Sequence, residues 1–306
     1  MRFAFTYPII THPANPELIR GSGVADVAVA AEAAGFGGFG FTDHPAPTQR
    51  WLDAGGHDSL DPFVAMGFAA ARTSTIRLIP NVVVLPYRNP FVVAKAGATL
   101  DLMSEGRFTL AVGLGYMRRE FAALGVDFDT RAALFDEALQ VIRAVWTGDD
   151  LTFEGQNFTA KGITAHPRPV STPHPPIWIG GNTGTARQRV AVHGDGWAPF
   201  AAPPGLASTA GTAAMDSIEA LTAGADDLRR RLDAAGRDPS AVDISFNSFT
   251  GGSPGTADFN ADAYLSGLEE LAKVGVTWVQ VSMPGESLAH LLETIDSFGQ
   301  QVIAHV

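Results

Sequence analysis

The sequence predicts an α/β protein built as a single (β/α)8 barrel, also called a TIM barrel, with an excursion after its fourth helix. Short apolar runs alternate with amphipathic helical stretches eight times along the 306 residues. Near-continuous apolar runs joined by helices are typical of a parallel sheet covered on both faces. Eight such units in a chain of this length favour one barrel domain over residues 1–306. A doubly wound open sheet is the alternative.

The first four units are bounded by capping and turn residues. Asp61 and Asn89 each precede a proline, which places an N-cap residue before a proline at the first helical position. Gly35 follows a helical stretch at a natural C′ position. The predicted strands are 2–7, 38–42, 76–85 and 107–113. The predicted helices are 17–34, 61–72, 89–105 and 131–146, with a short helical segment at 119–124.

The second half begins with a break in the pattern. Residues 148–176 hold several prolines and turn residues and a short hairpin around 151–158, so we interpret them as an excursion from the barrel. Two loops are expected at 201–214, which is rich in Ala, Pro, Gly and Ser, and at 251–260. The predicted strands are 176–179, 196–200, 242–249 and 277–283. The predicted helices are 185–193, 217–235, 260–274 and 288–303.

Composition excludes several classes of protein. The chain has no cysteine, which excludes disulfides, thiolate metal sites and a cysteine nucleophile. A net charge of −11 argues against general nucleic-acid binding. No apolar stretch reaches the roughly 18 to 20 residues of a membrane helix. Pro8 and Pro13 interrupt any signal peptide, and His166, His174 and His193 lack metal-ligand spacing. We therefore expect a soluble, cytoplasmic protein without metal, acting on a small molecule.

The candidate site lies where strands end, because barrel active sites form at the carboxyl ends of the strands. Asp43 and His44 directly follow the second strand. Asp43 can accept a hydrogen bond from a heterocycle, and His44 can donate to a substrate or carry a proton. The alternative is that Asp43 caps a turn before Pro45. Gly113-Leu114-Gly115 after the fourth strand permits close approach of a flat ligand, or simply makes a tight turn.

A glycine-rich turn follows the fifth strand. Gly180-Gly181-Asn182-Thr183-Gly184 precedes a helix, so its free N–H groups can bind an anion, with Arg187 and Arg189 nearby. An ordinary β-to-α turn is the alternative. The chain contains neither a GxGxxG nor a Walker motif, so a Rossmann or P-loop nucleotide site is unsupported.

Two weaker signals come from single polar residues. Asn81 interrupts the apolar third run, which hints at a β-bulge. Arg119 and Glu120 follow Tyr116 and are expected to form a solvated helix face, the usual environment of such charges.

Three fragments carry a family resemblance in their order and spacing. They are FTDH at 41–44, RNPFVVAKAGATLDLMSEGRFTLAVGLGYMRREFAALGVDFDTR at 88–131, and PIWIGGNTGTARQRVAVHGDGW at 176–197. Together they resemble the luciferase-like monooxygenase superfamily, and within it the F420-dependent oxidoreductases. The resemblance spans nearly the whole chain and implies a barrel with an isoalloxazine-like ring at the strand carboxyl ends.

The resemblance also implies residue roles. Asp43 would contact the deazaflavin ring, and His44 would lie near its reactive carbon and the substrate. Asn81-Val82 would form a bulge, often with a non-proline cis peptide, against the ring, with Val84 just beyond. The remaining cofactor contacts implied are Leu114 and Gly115 along the ring, Arg119, and Gly180, Gly181, Thr183 and Gly184 around the phosphate-bearing tail.

The chain departs from the pattern of the F420-dependent glucose-6-phosphate dehydrogenases. Tyr116 stands where those enzymes have a glutamate proton acceptor, and Trp51 is displaced from the usual tryptophan position. No convincing set of lysines for a sugar phosphate is present. We therefore expect a different substrate, a small and mostly apolar organic molecule.

The predicted function is hydride transfer between coenzyme F420 and that substrate, with His44 and Tyr116 as catalytic residues. One alternative is a two-component monooxygenase using reduced FMN and oxygen, because both cofactors share the phosphate end. Another is a non-catalytic protein that binds F420 or flavin. Family members are commonly dimers, so the resemblance implies a homodimer.

Overall fold

A parallel sheet of nine strands forms the centre of the computed structural model, which describes residues 1–9 and 11–306. The strands are β1 (Arg2–Thr6), β2 (Gly38–Gly40), β3 (Arg77–Leu78), β4 (Val83–Val84), β5 (Leu110–Gly113), β6 (Leu151–Glu154), β7 (Thr159–Ile163), β8 (Ile177–Gly180), β9 (Gly196–Ala198), β10 (Asp243–Phe246) and β11 (Trp278–Ser282). The spatial order is β3-β2-β1-β11-β10-β9-β8-β5-β4, while β6 and β7 form a separate antiparallel pair.

Helices connect most successive strands, as the alternating pattern predicts. They are α1 (Gly21–Ala33), α2 (Gln49–Asp53), α3 (Pro62–Ala70), α4 (Pro90–Met103), α5 (Arg118–Ala123), α6 (Arg131–Thr147), α7 (Gly184–His193), α8 (Pro204–Ala210), α9 (Ile218–Ala234), α10 (Ala261–Val274) and α11 (Leu288–Gln301). The predicted N-caps are confirmed, because Asp61 and Asn89 accept backbone N–H bonds from the first turns of α3 and α4. Among the described residues, no helix combines the length and apolarity needed to cross a bilayer.

The sheet is curled, and its two edges come from one stretch of chain. β3 and β4 stand at opposite ends of the strand order, yet only four residues separate them in sequence. An isolated parallel bridge between Leu78 and Phe108 links the β3 edge to the chain entering β5. The single strand predicted at 76–85 is therefore wrong in detail. It is interrupted around Asn81 and Val82, whose peptide bond is cis, the conformation that the resemblance implied.

Alternate residues of the strands face two different cores. Phe3 and Phe5 of β1 belong to the large core cluster, and Ala4 between them belongs to a small separate one. In that small cluster Trp178 of β8 and Trp278 of β11 meet edge to face, with ring centroids 5.5 Å apart. Because successive side chains of a strand point to opposite faces, one face of β1 packs against the large cluster. The other face contributes Ala4 to the small cluster that contains the two tryptophans.

Two helices were missed by the sequence pattern. α2 lies in the loop after β2, and α8 lies within 201–214, which was expected to be a loop. The 201–214 segment is also anchored by an antiparallel bridge between Ala202 and Met215. Both helices are short, with five and seven residues, so neither offers enough turns for a hydrophobic period to show.

Candidate functional site

A cavity of about 880 Å³ opens at the carboxyl ends of the parallel strands. Loops after β1, β2, β5, β8, β9, β10 and β11 contribute to its wall, so it occupies the position that the fold class predicts. The predicted site residues in its lining are Asp43, His44, Asn81, Val82, Val84, Leu114, Gly115, Tyr116, Gly180, Gly181 and Thr183. Arg119 is exposed on α5, and Gly184 begins α7, and neither is part of the lining.

Glu120 is a buried partner of His44. Its side chain has 0% exposure, and its Oε2 lies 3.3 Å from His44 Nδ1. The same oxygen accepts the Tyr87 hydroxyl at 2.7 Å, while Oε1 accepts the Ala46 backbone N–H at 2.9 Å. The expectation of a solvated helix face is thus wrong for Glu120, although Arg119 beside it is exposed.

These contacts set the charge of Glu120. Burial alone raises the pKa of its carboxyl, but the hydrogen bonds from His44, Tyr87 and the Ala46 N–H outweigh burial and hold the pKa below its usual value. Burial, reinforced by Glu120, raises the pKa of Tyr87. An ionised carboxylate beside a protonated phenol can only accept, so His44 Nδ1 carries the hydrogen in this contact.

Aromatic side chains surround the His44 ring. Its centroid lies 4.8 Å from that of Trp51, 5.2 Å from that of His57 and 6.0 Å from that of Tyr116. Trp51, which in the sequence is displaced from the usual tryptophan position, lies on α2, and its ring packs against that of His44. Burial, and then the charge of Glu120, raises the pKa of Tyr116, so its phenol stays protonated at neutral pH. Tyr116 can therefore donate a hydrogen bond into the cavity.

Both carboxylate oxygens of Asp43 accept hydrogen bonds from other residues of the chain. Its side chain is 1% exposed, and Arg88 binds both of its oxygens, at 2.5 and 2.8 Å. Oδ2 also accepts the Val84 backbone N–H at 2.8 Å. Asp43 thereby fixes β4 and Arg88 at the cavity edge. Its predicted contact with a cofactor ring stays a prediction.

A polar chain of side chains runs across the cavity floor. Asn81 Nδ2 donates to Thr6 Oγ1 at 3.1 Å, and the Thr6 hydroxyl lies 3.4 Å from Gln280 Oε1. Gln280 Nε2 in turn donates to Ser245 Oγ at 2.9 Å. The Asn81 amide is thus oriented by β1 and β11.

The apolar wall beside this floor consists of Val82, Val84 and Leu114. Gly115 is required there, because its φ is +78° and an added Cβ would lie 2.5 Å from Val84 Cγ1. This close packing holds the segment around Val82 against the chain that leaves β5.

The glycine-rich turn after β8 closes the other end of the cavity. Gly181 has a φ of +110°, which favours glycine, and the Thr183 hydroxyl caps α7 by accepting the Ala186 N–H. Asn182 is buried and binds the backbone of Phe200 through both atoms of its amide, so the turn is fixed to the chain after β9.

The two arginines near this turn differ. Arg187 is outside the lining, and its Nε donates to Asp227 at 2.7 Å. Arg189 lines the cavity and its Nε donates to Asp136 at 2.5 Å. Of the two, only Arg189 is placed to contact a ligand.

The matches to known proteins agree with this arrangement. The family model described as luciferase-like monooxygenase matches residues 1–264, which is most of the chain. The chain belongs to the luciferase-like monooxygenase family. That membership accounts for the position of the cavity and for the three fragments that carried the resemblance.

Curated relatives of the chain divide between two cofactors. An F420-dependent glucose-6-phosphate dehydrogenase of Nakamurella multipartita is 34% identical over 227 residues, covering 72% of this chain and 63% of the relative. An FMNH2-dependent dimethylsulfone monooxygenase of Pseudomonas putida is 28% identical over 204 residues, covering 65% of this chain and 51% of the relative. The chain thus spans little more than half the length of the curated relatives it matches.

The fold is shared with solved structures at low sequence identity. The monooxygenase RslO1 from Streptomyces bottropensis superposes with a TM-score of 0.80 at 20% identity, covering 100% of this chain and 99% of that one. The superposition shows a common backbone architecture.

Proposed function

We propose that this chain is an F420-dependent oxidoreductase that transfers hydride between the deazaflavin and a small organic substrate. The observation that carries the proposal is the cavity at the strand carboxyl ends, with His44 in one wall, backed by the buried Glu120, and the glycine-rich turn in another wall. The 34% identity to the Nakamurella dehydrogenase supports the choice of F420.

The proposed architecture is the closed (β/α)8 barrel. Taken as two halves of one strand, β3 and β4 give eight parallel strands, and the Leu78–Phe108 bridge joins the two edges of the sheet order. The hairpin of β6 and β7 then lies in an excursion between α6 and β8.

The residues present fit a cofactor with a flat ring and an anionic tail. A cavity of about 880 Å³ is within the range of ligand sites, roughly 300–1,000 Å³. Its apolar wall suits a ring face, and its turn offers backbone N–H groups before α7. Bound F420 would supply a carbon that accepts or donates hydride. The ring would be held by Asp43, Asn81, Val82, Val84, Leu114 and Gly115, and the tail by Gly180, Gly181, Thr183 and Gly184. Arg119 would contact the cofactor from outside the cavity lining.

His44 and Tyr116 would act on the substrate. His44 lies in the wall with Nδ1 turned to Glu120, so its other nitrogen, Nε2, is available to move a proton at a substrate oxygen. The protonated Tyr116 would orient the same oxygen by donating a hydrogen bond.

Charge in the cavity favours a mostly apolar substrate. Its charged lining consists of Asp43, Arg131 and Arg189, besides His44. Asp43 and Arg189 are each in an ion pair, and Arg131 stacks 3.6 Å above the Phe128 ring. No lysine lines the cavity within the part of the chain that the structure describes. The absence of lysine supports a substrate other than a sugar phosphate.

A fluorescence titration with F420 and, separately, FMN tests the proposal. We expect micromolar or tighter binding of F420 and weak binding of FMN. Gly180→Leu should abolish binding, because Gly180 lines the cavity and a leucine side chain would fill space that the ligand needs, with its Cβ in tight contact, 3.3 Å, with Val112 O. Gly67→Leu, at an exposed position of α3 with nothing within 4 Å, is the matched control.

Other outcomes of the titration would replace the proposal. Preferential FMN binding together with oxygen consumption would establish the monooxygenase that the Pseudomonas relative exemplifies. Tight F420 binding without turnover on a broad substrate panel would establish a carrier. The homodimer and the cytoplasmic location stay predictions.

A further inference from the structure

We infer that Glu120, supported by Tyr87, is a positioning residue that fixes His44 in the Nδ1–H tautomer and so presents His44 Nε2 to the cavity as a proton acceptor. The tautomer follows from the hydrogen-bond geometry together with the ionised state of the Glu120 carboxyl. The catalytic consequence rests on the proposed function.

Glu120 is surrounded by hydrogen-bond donors. Its carboxylate has 0% exposure and accepts from the Ala46 N–H, the Tyr87 hydroxyl and His44 Nδ1. Among the described residues, no arginine or lysine pairs with it. A buried carboxylate is retained only when it is well hydrogen-bonded, and this one uses His44 for part of that requirement.

The contacts also fix which way each hydrogen points. The backbone N–H of Ala46 must donate to Oε1, and the phenol of Tyr87 must donate to Oε2. The remaining contact of Oε2, at 3.3 Å, is therefore made by an Nδ1–H of His44. A neutral imidazole with its hydrogen on Nδ1 has its lone pair on Nε2.

Nε2 is the free end of this arrangement. It makes no hydrogen bond to any described residue, and the His44 side chain is 11% exposed and lines the cavity. In the oxidation of a substrate hydroxyl, Nε2 would accept the hydroxyl proton, and bound F420 would supply the acceptor for the hydride. The imidazolium then formed is stabilised by Glu120, and reduction returns the same proton. Tyr116 stays protonated, so it cannot be this acceptor.

Glu120→Gln reverses the polarity of the contact without changing its shape. Because the Ala46 N–H requires an acceptor, the amide oxygen takes the place of Oε1 and the NH2 group takes the place of Oε2. That NH2 group then donates to His44 Nδ1 and imposes the Nε2–H tautomer. Tyr87→Phe is the matched control, because it removes a donor from Oε2 and leaves the His44–Glu120 contact in place.

The test is long-range ¹H–¹⁵N NMR of histidine-labelled protein at a pH where His44 is neutral, with His44→Ala to assign the signal. We expect Nδ1–H in the native chain and in Tyr87→Phe, and Nε2–H in Glu120→Gln. With substrate and F420, kcat of Glu120→Gln should fall by about 10²-fold or more while F420 affinity stays within about threefold.

An Nε2–H tautomer in the native chain would overturn the inference, and so would an unchanged tautomer in Glu120→Gln. Because the spectra need neither cofactor nor substrate, failure to bind F420 would refute the proposed function and leave the tautomer result standing. If Glu120→Gln does not fold, the native chain and Tyr87→Phe still decide the tautomer.

Discussion

Two glutamates buried in different parts of the molecule make similar contacts with different consequences. Glu120 lies under the cavity wall, while Glu137 lies on α6 beneath the β6–β7 hairpin, with 8% exposure. Glu137 accepts the backbone N–H groups of Asn157 and Phe158 and, at 2.6 Å, the Asn157 amide. In both glutamates burial raises the pKa of the carboxyl, but the hydrogen bonds lower the pKa by more than burial raises it. The net pKa is therefore below its usual value.

The difference lies in the partners. Every donor to Glu137 is a backbone or amide group, which cannot exchange its proton in the neutral range. Glu120 instead contacts His44, an imidazole whose ring lines the cavity. A depressed carboxyl pKa therefore does not mark a functional site by itself. A depressed pKa with an ionisable partner facing a cavity is the stronger signal.

The largest effect is expected on kcat, when the His44 imidazole that Glu120 positions is removed. His44→Ala should lower kcat by about 10²- to 10⁴-fold, the usual contribution of a general acid or base. F420 affinity should change little, because other residues are proposed to hold the ring and tail. Steady-state kinetics and a fluorescence titration measure the two quantities, with His305→Ala at an exposed position as the control. Undiminished turnover would remove His44 from the mechanism.

Next in size is the loss of Glu137. Glu137→Ala should lower the free energy of unfolding by about 2 kcal/mol, because the backbone N–H groups of Asn157 and Phe158 lose the carboxylate that accepts their hydrogen bonds. Turnover under conditions where the variant is folded should equal that of the native chain, since no Glu137 partner lines the cavity. Urea unfolding and kinetics on the same preparation separate the two. A loss of turnover in the folded variant would break the contrast between the two glutamates.

Local signals explain the parts of the fold that the sequence predicted. Asp61 and Asn89 were assigned as caps because a cap depends on neighbours within three residues. Eleven of the thirteen predicted site residues line the cavity, because the ends of parallel strands converge whatever their exact bounds. The sequence indicated the strand interruption at Asn81, because Asn81 is a polar residue within an apolar run.

Tertiary contacts explain what the sequence did not show. Glu120 is buried by Tyr87 and by a loop 74 residues away that carries Ala46. Its helix, α5, has six residues, which is too short for a period to reveal an inward face. The one local hint was Phe121 beside it, an apolar residue that is fully buried in the structure. The contact between Trp51 and His44 was not predicted, because α2, which carries Trp51, was not predicted.

Tyr87→Phe should have the smallest of these effects, a change in the titration of the Glu120 carboxyl. This variant also probes Glu120 most directly. The ionisable groups facing Glu120 are His44, Tyr87 and Tyr116. The Tyr87 hydroxyl stabilises the charged carboxylate, so removing it should raise the pKa of Glu120. A hydrogen bond worth about 1 kcal/mol corresponds to roughly 0.7 pH unit.

The lowered pKa of Glu120 also determines how folding stability depends on pH. The depressed pKa of Glu120 gives stability that is present above the pKa of the unfolded chain and lost as pH falls through that of the folded one. Tyr87→Phe should therefore be most destabilising at neutral pH and less so in acid. ¹³C NMR of the labelled carboxyl measures the titration. Tyr7→Phe is the control, since that buried hydroxyl donates to Leu18 O instead. Equal Glu120 titrations in both variants would show that Tyr87 contributes nothing to its charge.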